Sequence, residues 1–403
     1  MPKKANKKYK LAILTSHPVQ YHVPLFKKIA SHPDIDLEVY FTTKLGTEGK
    51  ILDPGFGKKI KWDIPLLEGY SYTFLKNYSS IPKSSFWGRI NPGIIKELKN
   101  KNYDAVIVFG YTKLTHWLVF LTKWFHKTPI IIKGEADLNK KVGFIKKIIK
   151  KIILRILFKL FDAFLYSYNL NKEFFKYYGA TEENTFFFPC AVDNDYFEKK
   201  KKGINSEIIK RNLNIKPSAP VILFVGKFIE RKRPFDLLKA YKKLTKTLDM
   251  KLPYLVFVGD GPLRKKMEKY IADNKLERVV ITGFKNQSEI PKMYSIADIF
   301  VLPSEFDPSP KVINEAMNFS LPIIVTTGVG TAEDLVLKNE CGLRYPIGDV
   351  ETLTQYFKKL IKDEGFCTKL GRNSYQTVTK LWNAKEDVKG LISALEYIKK
   401  SRT

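Results

Sequence analysis

Cysteine is scarce in this chain of 403 residues: three occur, Cys190, Cys341 and Cys367. Their wide spacing excludes a disulfide framework and a thiolate metal site, and a reducing compartment is the natural expectation. Histidine is nearly as sparse, with 5, and no Asp-x-Asp pair stands out, so no metal is expected. No run of about 18 uncharged apolar residues occurs, which argues against a membrane-spanning helix. The opening Met1-Pro-Lys-Lys-Ala-Asn-Lys-Lys8 is basic but has no apolar core segment or cleavage site. It runs directly into Lys10-Leu-Ala-Ile-Leu14, so a secretory leader is not expected. Acidic residues are in deficit, 41 Asp+Glu against 70 Lys+Arg, for a net charge of +29. Such an excess favours anionic partners: nucleic acid, anionic lipid or a phosphorylated substrate. The plainer reading is a lysine-rich composition spread over the surface. Stacking-aromatic and zinc patterns are absent, so nucleic acid is not expected as a partner. The expected location is the cytoplasm or the cytosolic face of a membrane.

What is present is enough apolar material for two cores, 44% hydrophobic residues. Short apolar runs at 11–14, 37–42, 105–109, 130–133 and 163–166 alternate with helical patterns at 25–30, 94–99, 114–125 and 144–161. That order implies βαβ units and a parallel sheet. Residues 43–90 are less regular, rich in Gly, Pro, Ser and aromatics, and read as an elaborated loop region with room for an extra hairpin, facing an acceptor. A second alternating series has runs at 221–225, 254–258, 279–282, 299–302 and 323–326. The expectation is an α/β fold of two doubly wound, Rossmann-like domains facing each other across a cleft. Residues 1–191 form the first, 192–218 a linker zone and 219–375 the second, and 376–403 carry a final amphipathic helix that packs back on the first.

The chemistry gathers in loops that follow strands. Glu305-Phe-Asp-Pro-Ser-Pro-Lys-Val-Ile-Asn-Glu315 leads from an apolar strand into a helix, with Asp307 and Glu315 near the helix start. In open α/β sheets ligands bind at the carboxyl ends of strands. Ser309 and Pro310 read as N-cap and first helical residue, which leaves the N–H groups of Lys311 and Val312 open to a phosphate. Carboxylates nearby suit the hydroxyls of a ribose or a sugar. Taken singly, Glu315 also reads as a dipole-stabilising residue and Asp307 as a turn residue. After the first strand of the second series, Gly226-Lys-Phe-Ile-Glu-Arg-Lys-Arg233 carries Lys227, Arg231, Lys232 and Arg233. A diphosphate leaving group needs such cations, although a solvated basic turn has the same composition. Gly259-Asp260-Gly261-Pro262 permits close backbone approach, to a ligand or within an ordinary turn. Thr326-Thr-Gly-Val-Gly330 is a similar turn. In the first half, His17 and Glu135 each follow a strand. His17 is placed to deprotonate or orient an acceptor hydroxyl, or to bond the backbone, and Glu135 is a candidate of the same kind.

Phe144–Phe161 needs a separate account. Ile145, Ile148, Ile149, Ile152, Ile153, Ile156, Leu157, Leu160 and Phe161 follow one helical face, with lysines opposite. Leu154 and Phe158 share the row of Lys147 and Lys151 and make the polar side partly apolar. The simple expectation is that the isoleucine face packs on the sheet. The alternative adds a basic surface over 141–161 that rests on anionic lipid and suits a lipid-linked acceptor.

Together these residues resemble a retaining GT-B glycosyltransferase of family 4 (glycosyl transferases group 1). The resemblance is carried by Gly226-Lys227 with Lys232, Gly259-Asp-Gly-Pro262, Gly283-Phe284, Pro303-Ser304 and Asp307 through Asn314-Glu315-Ala-Met317, and more weakly by Thr15–His22. It implies a nucleotide-diphosphate sugar as co-substrate and no further cofactor. Lys227 and Lys232 would hold the diphosphate, Glu315 the ribose, and Asp307 the donor sugar, with a glycan or lipid-linked hydroxyl as acceptor. Two positions depart from the family: Asp307 stands where Glu is usual, and Pro310 where glycine is frequent. Other readings are a nucleotide-sugar epimerase or phosphorylase of similar fold, and a basic membrane- or nucleic-acid-binding protein without catalysis.

Overall fold

A computed structural model describes residues 8–47, 49, 51–81, 85–139, 143–248 and 252–402. The basic opening segment, apart from Lys8, and residues 141–142 of the expected basic stretch lie outside the described residues. The chain divides into two units. One holds residues 1–49, 65–190 and 384–403; the other holds 50–64 and 191–383. The strands in chain order are β1 (Tyr9–Thr15), β2 (Ile35–Phe41), β3 (Ile51–Asp53), β4 (Lys58–Ile60), β5 (Ser71–Phe74), β6 (Ala105–Phe109), β7 (Ile130–Lys133), β8 (Ala163–Tyr166), β9 (Thr185–Phe187), β10 (Val221–Val225), β11 (Tyr254–Val258), β12 (Val279–Gly283), β13 (Ile299–Leu302), β14 (Ile323–Thr326) and β15 (Gly342–Tyr345).

The first unit is built on a parallel sheet in the order β5-β2-β1-β6-β7-β8-β9. Its central strands are almost wholly apolar because helices cover both faces and no side chain is left for water. One face packs Ala12, Leu14, Val106 and Ile132 against Val119, Leu157 and Phe158. The other packs Leu11, Ile13, Ile107 and Leu165 against Leu25, Phe26, Leu391 and Leu395. Leu391 and Leu395 belong to the final helix, Ala384–Lys400, which lies within this unit. Two features dock it. Buried Asp387 accepts from the Cys190 N–H at 2.6 Å, and Gly390 lets the helix meet β9 so closely that a Cβ there would lie 1.8 Å from the Phe187 carbonyl oxygen.

The second unit has the order β12-β11-β10-β13-β14-β15, also parallel. β10, β11, β13 and β14 are buried along their whole length. Segment 192–218 is not a bare linker. It carries helices Asn194–Lys201 and Ser206–Asn212, capped by the side chains of Asp193 and Asn205, and counts with the second unit. Nor is the first domain continuous over 1–191: residues 50–64, with the β3–β4 hairpin, belong to the second unit.

The helix Phe144–Phe158 overturns the simple packing expectation. Its buried residues are Leu154, Leu157 and Phe158, while Ile145, Ile148, Ile149, Ile152 and Ile156 are exposed, between 44% and 72%. The row read as polar faces the protein. Lys150 lies over the Phe174 ring at 4.9 Å and Lys151 over Tyr177 at 5.5 Å, so their stems run along the unit's own aromatics.

Gly390→Ala should overpack the helix against β9 and cost about 1–3 kcal/mol. A thermal melt checks this; an unchanged midpoint would show that the final helix docks without needing the close approach.

Candidate active site

β10 and β13 are neighbours, yet their crossovers leave in opposite directions, to β11 on one side and β14 on the other. The helices they lead to therefore part to opposite sides, and the loops after β10 and β13 stand at the carboxyl edge of the reversal, the usual ligand position of such sheets. The loop after β10 passes through a short 3-10 turn, Glu230–Lys232, and reaches helix Pro234–Thr245 through Arg233, which holds a left-handed φ of 49°. Here it meets the loop after β13. The Glu305 N–H donates to the Arg231 carbonyl at 2.9 Å, the Arg231 guanidinium donates to the Phe306 carbonyl, and Lys232 forms an ion pair with Asp307.

Asp307 is held from a third loop as well. Its N–H donates to Gly328 O at 3.0 Å and its carbonyl accepts from Gly330 N–H at 2.9 Å. Gly328 is required there, because a Cβ would come within 2.1 Å of the Glu305 carbonyl oxygen. The Thr326–Gly330 turn is thus the clamp that fixes Asp307. Both partners of the Lys232–Asp307 pair are mostly buried, with side-chain exposures of 12% and 14%. Burial pushes the Lys232 amine down, Asp307 pulls it back up, and the like charges of Arg231 and Lys227 push it further down.

Lys227 has a partner the sequence did not reveal. Its Nζ contacts both carboxylate oxygens of Asp53 at 2.9 Å, from the hairpin β3–β4. Lys58 of the same hairpin pairs with Asp260 at 2.6 Å, and Phe56 packs edge-on against Phe284 at 5.0 Å. The glycines of the Gly259–Gly261 turn serve this packing. A Cβ at Gly259 would lie 1.8 Å from Gly226 O, and one at Gly261 within 2.9 Å of both Phe228 and Gly55 backbone. The Asp53-Pro-Gly turn is legible as a turn, but nothing in the sequence says that it lands on the basic loop.

Helix Lys311–Met317 begins one residue later than expected: Pro310 is the N-cap and Lys311 the first helical residue. Proline at the cap forfeits no N–H of the first turn. Ser309 accepts from the Lys311 amine at 3.0 Å, and Val312 O accepts from Tyr294 Oη at 3.3 Å. Glu315 is only 2% exposed. Its Oε2 accepts from Tyr294 Oη at 2.7 Å, and its Oε1 is buried with no hydrogen bond among the described residues. Burial is the main cause that pushes its pKa up to about 7, against smaller opposing contributions from Tyr294 and the nearby Gln287 side chain.

Lys227, Lys232, Asp307 and Glu315 thus belong to one edge of the second unit's sheet. His17 and Glu135 belong to the first unit. His17 Nδ1 is 2.8 Å from Ser16 Oγ. Glu135 pairs with the buried Lys133 amine at 3.0 Å. No cluster of His, Cys, Asp or Glu able to hold a metal occurs among the described residues.

Two Rossmann-like α/β domains are the architecture of GT-B proteins. A glycosyltransferase from Rickettsia africae superposes with a TM-score of 0.74 at 18% identity, covering 98% of this chain and 99% of that one. Anabaena HepE in complex with UDP superposes with 0.70 at 14% identity, covering 96% and 99%. Residues 205–377 match the family described as glycosyl transferases group 1. Among curated relatives, the sulfoquinovosyl transferase of Arabidopsis thaliana is 28% identical over 212 residues, 51% of this chain and 39% of that protein. A lipopolysaccharide core biosynthesis glycosyltransferase of Rhizobium meliloti is 27% identical over 42% of this chain and 47% of that protein. An alpha-1,4-N-acetyl-D-galactosaminyltransferase of Campylobacter jejuni is 24% identical over 70% of this chain and 71% of that protein. The chain thus spans less than half the length of the first two relatives.

Because burial raises the Glu315 pKa, the protonated acid is the form the fold favours. The associated stability is complete below the ordinary glutamate range near pH 4.5 and is lost as pH rises through about 7. Glu315→Gln should remove this slope and be the more stable protein at pH 8, by about 3 kcal/mol at most. Melting curves of both proteins between pH 5 and 8 test it, and parallel profiles would refute it.

Proposed function

We propose that the chain transfers a sugar from a nucleotide-diphosphate sugar to an acceptor hydroxyl, with retention at the anomeric carbon. The observation that carries this reading is the Lys232–Asp307 pair at the strand-order reversal, with the unsatisfied Glu315 carboxylate on the helix that follows. A donor diphosphate replaces carboxylate oxygens as the partner of Lys232 and Lys227. It keeps the Lys232 amine charged and takes the attraction of both amines as negative charge grows on the leaving oxygen. Asp307, released from Lys232, accepts from a hydroxyl of the donor sugar. Glu315 Oε1 gains the ribose hydroxyl it lacks. Gly226, Gly259, Asp260, Gly261, Ser309, Lys311 and Val312 are the remaining donor-side positions. Retention without an enzyme nucleophile follows if the leaving phosphate oxygen takes the acceptor proton on the same face. His17 and Glu135 are the acceptor-side candidates. The named activities of the relatives, all transferases of sugars, support the class of reaction.

The acceptor is proposed to be presented at a membrane. No helix among the described residues is long and apolar enough to cross one. Helix Phe144–Phe158 instead turns a face of isoleucines to solvent, flanked by Lys146, Lys151 and Arg155. That is the pattern of a helix lying in the headgroup region, its apolar side inward and its cations at phosphate level. The order of contributions differs from a purely electrostatic contact: the isoleucines insert and the lysines steer.

Lys232→Ala and Glu315→Ala should each reduce transfer by several hundredfold or more, on the scale of about 3–4 kcal/mol for a lost transition-state contact, while retaining cooperative melting. Full activity in both would sink the donor assignment, and a screen of UDP-, GDP- and ADP-sugars by thermal shift names the nucleotide. Exposed Ile145→Asp and Ile152→Asp should abolish co-sedimentation with anionic vesicles and leave the melting point unchanged. Undiminished binding of the double variant would exclude insertion by this face.

A further inference from the structure

The first unit also has a strand-order reversal, between β1 and β6. Its carboxyl edge carries cations that the donor reading does not use. Arg89 is only 8% exposed. Among the described residues the guanidinium's Nη1 donates to Thr42 Oγ1 at 3.2 Å, and Nε is buried without a partner. No ion pair among the described residues compensates it, and burial pushes its pKa down. Thr42 in turn donates to the Ser16 carbonyl at 3.0 Å, which places the guanidinium over the ends of β1 and β2.

Helix Leu114–His126 starts beside it. Its first turn has no acidic residue, and the Thr115 N–H and Oγ1 donate to the Arg89 carbonyl at 3.2 and 2.9 Å. Lys113, the residue before this helix, reaches the Ser85 carbonyl at 2.8 Å and feels the Arg89 charge. His116, in the first turn, is 4% exposed, and neither ring nitrogen has a hydrogen-bond partner among the described residues. Burial first, then Arg89 and Lys113, hold it neutral with a pKa pushed down to about 3. A buried guanidinium without a counter-charge is costly to keep. An oxyanion would satisfy it, and the adjoining helix start and lysine would strengthen the contact.

On neighbouring residues of the chain is a cavity of about 420 Å³ lined by Phe86, Tyr111, Trp117, Ile149 and Ile153, with Lys146 and Lys150 also in its wall. It continues the same segments. Phe86 follows Ser85, Tyr111 lies two residues before Lys113, and Trp117 follows His116. Ile149 and Ile153 come from the helix with the exposed isoleucine face. The geometry points to an acceptor site for an amphiphile: a phosphate or diphosphate ester whose oxyanion is bound by Arg89 and Lys113 and whose apolar chain occupies the Phe86–Trp117–Ile153 cavity. This deepens the acceptor half of the proposed function and rests on it for its biological meaning, though not for the binding itself.

Calorimetry with geranyl phosphate, on the full chain, tests the site. Affinity should fall about tenfold or more, a single lost contact's worth, in Arg89→Gln, Lys113→Gln and Ile153→Asn. Geraniol and glucose 1-phosphate, each lacking half of the ligand, should bind at least that much more weakly. Variants that bind as wild type does, or geraniol binding as tightly as its phosphate, would overturn the assignment. If glucose 1-phosphate binds as tightly as geranyl phosphate, the apolar half is wrong. Should Arg89→Gln fail to fold by circular dichroism, a tungstate soak replaces it. Anomalous density within hydrogen-bonding reach of Arg89 supports the site, and density only at Lys227 and Lys232, or none, refutes it. Glu315→Ala should lose nucleotide-sugar binding and keep geranyl phosphate, so failure of the donor reading and failure of this site give different results.

Discussion

The constraint on which the second unit depends is the reversal of strand order between β10 and β13. A parallel sheet buried on both faces must return its chain through helices, and right-handed crossovers put those helices on opposite faces on the two sides of the reversal. The chain therefore leaves β10 and β13 toward opposite sides, and the loops that begin these crossovers meet at the reversal through Arg231–Glu305 and Lys232–Asp307. Every polar group assigned to the donor hangs on that edge or on the helix leading away from it. The turn after β14 then fixes Asp307 through backbone hydrogen bonds, so the carboxylate is held by the sheet rather than by its own loop.

Electrostatics explains the pairing around this edge. Lys227, Arg231, Lys232 and Arg233 would repel one another in an unliganded protein. Asp53, Asp307 and Asp236 offset part of that repulsion, and a carbonyl, Phe306 O, offsets another part. These are contacts that an anionic ligand can exchange rather than create, which lowers the cost of holding the cations together beforehand. Among the described residues of the first unit no carboxylate plays this part for Arg89, and the nearby Lys113 carries the same sign. The two edges thus differ in kind: one is charge-paired, the other carries a cation with no counter-charge among the described residues.

Helix Phe144–Phe158 shows where one-dimensional pattern reading stops. Its period is helical, and the helix forms. The isoleucine row is the more apolar face and was expected inward. The row of Leu154 and Phe158 is inward instead, because it meets the aromatic cluster of Phe164, Phe174 and Phe175. Lysine can border such a cluster, since its four-carbon stem packs on rings while the amine stays wet. Hydrophobic periodicity identifies two faces but assigns neither to the core when the core is made elsewhere in the chain.

Much of the fold was legible because it is local. The apolar runs that became β10, β11, β13 and β14, and the glycine and proline signals between them, are consequences of neighbouring residues. Gly226, Lys227, Lys232, Asp307 and Glu315 were legible as candidates for the same reason: each stands at a fixed offset from a strand end. The family likeness of 205–377 adds the class of reaction to which such offsets belong. Tertiary structure alone decided the partners. Asp53 lies 174 positions from Lys227 and forms an ion pair with it. Tyr294 satisfies one oxygen of Glu315 and leaves the other unsatisfied. Arg89, one basic residue among 70 in the sequence, is distinguished only by being buried without a counter-charge. Desolvation and pairing depend on what surrounds a side chain in space, and sequence spacing carries that information only within the few residues of a turn or a helix.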